Sequence, residues 1–267
     1  MKVRSLAALA LVLGVAASAP AATITLYDGA LGTMPDSQGW IYGSDPFELP
    51  PTSESFASGV TTLDTSSDMD KSAGYLSEIL TPIHLKNPNV PALDRTAGYR
   101  VRFNVQLDCE THVFTDRNGD GVSDRGGWSI IALSSDHLGI EIAFWESQAF
   151  AYDYVDVGAG VMAFVHAEST SGFDPTAGMT SYGLAIAGDS YWLTANGAAV
   201  LTGPLRDYSA EGHPYTIPSF LFLGDDTSSA LSTTGLSYIA VDTAIPEPAT
   251  LTLVALGALA VARRRRR

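Results

Sequence analysis

The chain has 267 residues, 46% of them hydrophobic and only 16% charged, which is enough apolar material for a packed core and excludes a disordered acidic chain. Its formal charge of −14 understates the acidity of the middle, because Lys2, Arg4 and Arg263–Arg267 sit in the end segments. Without those ends, eight basic residues face 28 acidic ones, and a body near −20 repels phosphate backbones, so no nucleic-acid partner is expected.

The N-terminus has Lys2 and Arg4, then an apolar run over Leu6–Ala17, then Ala19-Pro20-Ala21. A basic head, a short greasy segment and small residues at cleavage spacing are the parts of a secretory signal peptide. Residues 1–22 are therefore assigned to it, with signal peptidase as processing partner and cleavage after Ala21 or Ala22. Residues 44–58, rich in Pro and Ser, are predicted to be a long loop.

From Tyr99 to Leu107 polar and apolar residues alternate without a fault, which predicts a half-buried strand. Cys109 follows, the single cysteine, and an exported body with one thiol must be held by packing rather than cross-links. Next comes Asp116-Arg117-Asn118-Gly119-Asp120-Gly121-Val122-Ser123-Asp124. Side-chain oxygens fall at positions 1, 3, 5 and 9, Gly121 at position 6 permits a sharp bend, and Val122 at position 7 offers its carbonyl. The loop resembles calcium loops of the EF-hand and dockerin kind. That resemblance implies a weak Ca2+ site on Asp116, Asn118, Asp120, Val122 and Asp124, completed by water or a distant carboxylate because Gly127 stands where an EF-hand has its bidentate Glu. A solvated Asx-rich turn is the other reading.

Strand alternation returns with Leu138, Ile140, Ile142 and Phe144 predicted inward, and again with Tyr182, Leu184 and Ile186. Gly188-Asp189 and Asn196-Gly197 separate successive strands and mark tight hairpins. The five histidines, His84, His112, His137, His166 and His213, show no metal-ligand or triad spacing and are expected on surfaces or loops. Residues 23–242 are assigned to one all-β domain, an antiparallel β-sandwich.

The late hairpin series, residues 182–205 followed by 217–241, resembles the concanavalin-like jelly roll of legume lectins, laminin-G modules and laminarinase-type hydrolases. That resemblance puts Glu141-Ile142-Ala143-Phe144-Trp145-Glu146 beside the Glu-x-Asp-x-x-Glu of the hydrolases, whose glutamates act as nucleophile and acid/base. Here Ala143 replaces the Asp, and a regular strand points Glu141 and Glu146 to opposite faces. Glu141 is expected to face solvent and the protein to be non-catalytic, a glycoside hydrolase acting on extracellular polysaccharide being the alternative. For a lectin-like domain, Trp145 and Trp192, with Tyr152 and Tyr154, are candidate stacking platforms for polysaccharide.

The C-terminus carries Pro246-Glu247-Pro248, an uncharged run over Ala249–Ala262 and five terminal arginines. The prolines keep the preceding residues extended, the apolar run predicts a short hydrophobic helix close to membrane-spanning length, and the arginines resist translocation. Residues 243–267 resemble the PEP-CTERM sorting signal of Gram-negative bacteria. The resemblance implies processing by an exosortase, transient anchoring in the inner membrane, and final residence as a secreted, cell-surface or biofilm-matrix protein.

Overall fold

The computed structural model describes residues 22–44, 52–80 and 83–245. The sorting residues Pro246, Glu247 and Pro248, the segment predicted as a C-terminal helix and the predicted signal peptide up to Ala21 lie outside the described residues. In chain order the strands are β1 (Thr23–Asp28), β2 (Ile41–Ser44), β3 (Ser53–Ala57), β4 (Val60–Asp64), β5 (Ala73–Leu76), β6 (Glu78–Ile79), β7 (Leu85–Lys86), β8 (Tyr99–His112) and β9 (Trp128–Leu133). There follow β10 (Leu138–Trp145), β11 (Gln148–Asp156), β12 (Met162–Ser169), β13 (Thr180–Ala187), β14 (Ser190–Ala195), β15 (Ala198–Pro204), β16 (Arg206–Asp207), β17 (Leu221–Asp225) and β18 (Ala230–Thr243). Helical geometry among the described residues is confined to three single 3-10 turns. No helix there is long and apolar enough to cross a membrane.

Two antiparallel sheets stack face to face as an all-β jelly-roll sandwich. The front sheet runs β15-β14-β13-β8-β18-β4-β3, with β1 added to the C-terminal half of β18. The back sheet runs β12-β11-β10-β9-β17-β5-β2, with β16 laid on the start of β10. The expected strand at Tyr99–Leu107 is longer, reaching His112, and pairs with β18 along its whole length. A register shift opposite Thr233 and Thr234 leaves Asp108 unpaired, which reverses the alternation and buries Glu110 instead of exposing it. The predicted loop over 44–58 needs correcting: Ser53–Ala57 is a strand paired with β4, its alternating Ser53, Ser55 and Ala57 exposed as on an edge strand.

The inner faces close on an aromatic centre. Phe103 of β8 stacks on Tyr182 of β13 at 5.0 Å between centroids. Trp128 of β9 meets Phe144 of β10 edge-on at 4.9 Å, and Phe144 meets Tyr182 at 5.3 Å. These rings come from both sheets, so the alternating pattern of β8, β10 and β13 is what brings them together.

The back sheet is buried on its outer face as well. Residues Tyr208 to Phe220 cross it as a strap, and Tyr208, Tyr215, Ile217 and Phe220 pack on Ile131, Leu133 and Phe222 as a second core. Every residue of β9 is buried for this reason. Its sequence, Trp-Ser-Ile-Ile-Ala-Leu, is a nearly unbroken apolar run, as a strand covered on both faces should be.

Candidate functional site

The strap positions the chemistry of the back sheet. β16 pairs with β10 at Leu138 and Gly139. The Tyr208 hydroxyl donates to the Tyr152 carbonyl at 2.7 Å, and the Tyr215 hydroxyl donates to Glu141 Oε2 at 2.5 Å. The Arg206 guanidinium, largely buried, holds Glu168 at 2.7 Å. Glu141 is thus sealed, only 3% exposed. The expectation that it faces solvent is overturned because the strap, more than 60 residues downstream, covers the polar face of β10. Glu146 sits exposed in the turn after β10 and its Oε1 accepts from the Glu110 amide at 3.3 Å. β10 runs in unbroken register from Gly139 to Phe144, so no bulge brings the two glutamates to one face.

The partner of Glu141 is Asp226, just past β17. Burial first, then the neighbouring Asp226 charge, push the Glu141 carboxyl well above the usual range, against the Tyr215 hydrogen bond and the nearby Arg125 charge. Asp226 is also raised by the dense protein around it. Hydrogen bonds with Ser129 and Glu141 and the Arg125 charge oppose that rise, the Ser129 hydroxyl donating to Asp226 at 3.2 Å. Asp225 is raised well above its ordinary value by burial, although Thr65 donates to it at 2.6 Å. Three carboxyls that resist ionisation therefore cluster at one place.

Asp225 and Asp226 form part of the wall of a recess of about 540 Å3. Leu76, Ile131 and Phe222 give it an apolar floor, and His213 and Tyr215 of the strap complete the rim. Sequence reasoning missed this site. Asp225-Asp226 carries no motif of its own, and nothing local joins it to Glu141 on a different strand.

The acidic loop folds tightly. Asp116 accepts from the amides of Gly119 at 2.6 Å and Gly121 at 2.8 Å. The Asn118 side-chain amide donates to Asp120 at 2.9 Å, and the Val122 amide to Asp120 at 2.8 Å. These two donors hold the Asp120 carboxyl below its ordinary value. Asp124 is turned away from that coil and fully buried, its oxygens taken by the amides of Arg117 at 2.6 Å and His166 at 2.7 Å. So Asp116, Asn118 and Asp120 gather on one coil, while Asp124 pins the loop to β12. Among the described residues no group of three or more His, Cys, Asp or Glu is arranged to hold a metal ion.

The stacking candidates are separated. Trp145 lies on the outer face of the back sheet, stacked on His112 at 4.6 Å and packed on Phe150 at 4.9 Å, with its indole N–H bonded to the Arg125 carbonyl. Tyr152 is buried, and Tyr154 is bound to Glu211 at 2.5 Å. Trp192 lies on the outer face of the front sheet, half-buried, beside the small cross-strand partners Ala185 and Thr202. One sugar chain cannot stack on both tryptophans at once. His112 and His166, expected in loops or on the surface, are instead strand residues inside the aromatic file around Trp145 and Phe150. Burial holds the His166 imidazole below its usual value.

Among solved structures the chain is similar to a carbohydrate esterase from the Shiga toxin-encoding bacteriophage phi24B, at 13% identity and a TM-score of 0.53, over 84% of this chain and 100% of that one. It is also similar to a β-glucanase of Bacillus licheniformis, at 13% identity and a TM-score of 0.40 over 83% and 98%. A Bacillus subtilis protein with a galectin-like fold aligns at 10% identity and a TM-score of 0.46 over 84% and 97%. At these identities the likeness is one of fold. No curated protein matches the sequence. Residues 244–267 match the model of the PEP-CTERM protein-sorting motif, with Pro246, Glu247 and Pro248 inside the match. The motif carries with it export, processing by an exosortase and association with the cell envelope. The chain is thus an exported, envelope-associated β-sandwich protein bearing the PEP-CTERM protein-sorting motif at residues 244–267.

Proposed function

We propose that the body is a non-catalytic, lectin-like domain of a cell-surface or matrix protein, and that it binds a sugar unit of extracellular polysaccharide in the recess of the back sheet. The recess carries this reading. Its volume and its apolar floor with a few convergent polar groups suit a small organic ligand. Asp226 and His213 supply hydrogen-bonding groups for hydroxyls at its wall. The hydrolytic alternative needs two carboxyls that both reach a scissile bond, and Glu141 lies beneath Tyr215. Trp192 offers a separate, flat contact on the front sheet, whereas Trp145 has its ring packed by neighbours. The sorting tail delivers the body to the outer side of a Gram-negative inner membrane, where it is held until cleavage.

Titration calorimetry against a panel of bacterial oligosaccharides tests this. At least one ligand binds, and Asp226→Ala weakens it about fivefold or more, as loss of a hydrogen-bonding side chain at the wall requires. Trp145→Ala and Trp192→Ala leave that binding within about twofold, since neither ring lines the recess. Release of reducing ends from a polysaccharide, lost in Glu141→Gln, would replace the lectin reading with the hydrolytic one.

The acidic loop is proposed to take calcium at millimolar concentration. Asp116, Asn118 and Asp120 already share one coil, and the carbonyl of Val122 and water would complete the oxygen set. The burial of Asp124 makes it a structural anchor instead of a ligand, so the site has few charged ligands and is weak. Calorimetry at millimolar Ca2+ shows binding in the wild type and none in Asp120→Ala; equal traces for the two remove the site.

A further inference from the structure

One cross-strand row of the front sheet puts an indole and an unpaired guanidinium on the same face. Thr202 of β15 lies opposite Trp192 of β14, Trp192 opposite Ala185 of β13, Ala185 opposite Arg100 of β8, and Arg100 opposite Asp242 of β18. Directly opposed residues share a face. Here it is the outer one, because Tyr99, Val101 and Phe103 of the same strand point into the core. In the next row Gly183 stands between Arg102 and Thr194. A Cβ there would come within 3.3 Å of Arg100 Cδ and 2.9 Å of the Thr194 hydroxyl oxygen. The Arg100 stem therefore lies back across β13, over the glycine that leaves it room.

Folding does not account for this arginine. Its acidic neighbour, Asp242, is already engaged by Arg102 at 3.1 Å and by the Thr23 hydroxyl at 2.6 Å. Arg102 also rests over the Tyr238 ring at 5.9 Å. Arg100 is exposed, and among the described residues its side chain takes part in no hydrogen bond or ion pair. Nor does it cover Trp192, since the cation–π pair among the described residues is Arg102 with Tyr238. In a body where eight basic residues face 28 acidic ones, a guanidinium left uncompensated is open to an external anion.

The two side chains suit the two parts of an acidic sugar. An indole offers a flat apolar face to the C–H side of a pyranose ring, and a guanidinium grips a carboxylate with two parallel hydrogen bonds. Two interstrand steps, about 9.6 Å, separate the backbones of Trp192 and Arg100, and Ala185 between them adds only a methyl group. We propose that Trp192 and Arg100 form a binding site for a uronate, a sugar unit bearing a carboxylate, on the outer face of the front sheet. A single arginine in so acidic a body does not hold a dense polyanion, so the fitting polysaccharide carries its carboxylates singly among neutral sugars. The site lies on the other sheet from the recess and does not depend on it.

Titration calorimetry on the full chain tests it, with a tetrasaccharide containing one glucuronate among neutral sugars and with its carboxyl-reduced counterpart, which keeps the ring and loses the charge. The wild type binds the uronate about tenfold or more tightly than the reduced sugar, the ratio that hydrogen bonds to a charged group supply. Arg100→Gln brings the uronate down to the level of the reduced sugar and leaves the reduced sugar within about twofold. Arg100→Lys, with the charge but not the fork, falls between. Trp192→Ala weakens both sugars. Arg100 and Trp192 lie on an outer face, so these variants keep the fold, as urea unfolding checks. Asp226→Ala leaves uronate binding within about twofold, and the recess reading stands or falls separately. No binding of the uronate, equal affinity for the two sugars, or equal affinity of wild type and Arg100→Gln overturns the site. Loss of uronate binding in Asp226→Ala with none in Arg100→Gln overturns it also, since the ligand then lies in the recess.

Discussion

Stability of the folded body falls as pH rises above about 4 on account of Glu141, and Glu141→Gln removes that part of the fall. The folded-state value of this carboxyl lies well above its ordinary one, chiefly through burial and then through Asp226. A group raised in this way binds its proton more tightly in the native state than in the unfolded chain. Its contribution is therefore complete below the unfolded value, about 4.3, and is lost as pH climbs toward the folded one. One such proton gives a slope of up to about 1.4 kcal/mol per pH unit. Asp225 and Asp226, also raised, add to the fall, whereas Glu78, lowered with Lys86 and His84 as its partners, and Asp207, lowered by Ser209, act in the opposite sense. The informative quantity is accordingly the difference between wild type and Glu141→Gln in urea unfolding at several pH values from 4 to 8. Gln keeps an acceptor for Tyr215 and carries no proton to lose, so the variant gains on the wild type as pH rises. A difference that is flat across the range would mean that Glu141 titrates normally. Glu141→Ala is a different experiment, since it strands the buried Tyr215 hydroxyl and opens a cavity, and it destabilises by about 2–4 kcal/mol.

Phe103→Ala lowers stability by about 3–5 kcal/mol, the largest loss expected from a single substitution in the core. Phe103 has no exposure, stacks on Tyr182 and touches Trp128 across the two sheets. Removing the ring leaves a hole walled by stiff aromatics on two sheets that cannot slide together to fill it. Since a domain's whole stability is about 5–15 kcal/mol, the variant is expected near its unfolding threshold, with a midpoint in urea well below that of the wild type and an unchanged slope. Trp192→Ala, on a half-buried outer face, costs about 1 kcal/mol or less. If Phe103→Ala unfolds no more easily than Trp192→Ala, the aromatic centre is not what joins the sheets.

Much of the sandwich was legible in local pattern. Alternation at Tyr99–Leu107 and at Leu138–Phe144 identified two central strands and their inward faces, and Asn196-Gly197 identified the turn between β14 and β15. Local pattern failed where a strand has two covered faces. Glu141 sat at a polar position in an alternating run and read as exposed. The unbroken apolar run of β9 was the available sign that something lies over the back sheet, although it does not say what. The loop expected over 44–58 failed for a related reason: Ser53–Ala57 is an edge strand, and the exposed side of an edge carries the Ser-rich composition of a loop.

By itself the sequence determined the sorting address, the all-β class and the acidic loop, because each is written in residues adjacent in the chain or spaced by the period of one strand. Tertiary structure alone decided that Glu141 meets Tyr215 and Asp226, that Trp145 and Trp192 lie on opposite faces, and that Ile245 is hydrogen-bonded to Gly98. The three contacts join positions 74, 85 and 147 residues apart. No periodicity reaches that far, and only the folding of a strap across a sheet, or the closing of one terminal strand on another, brings such residues together.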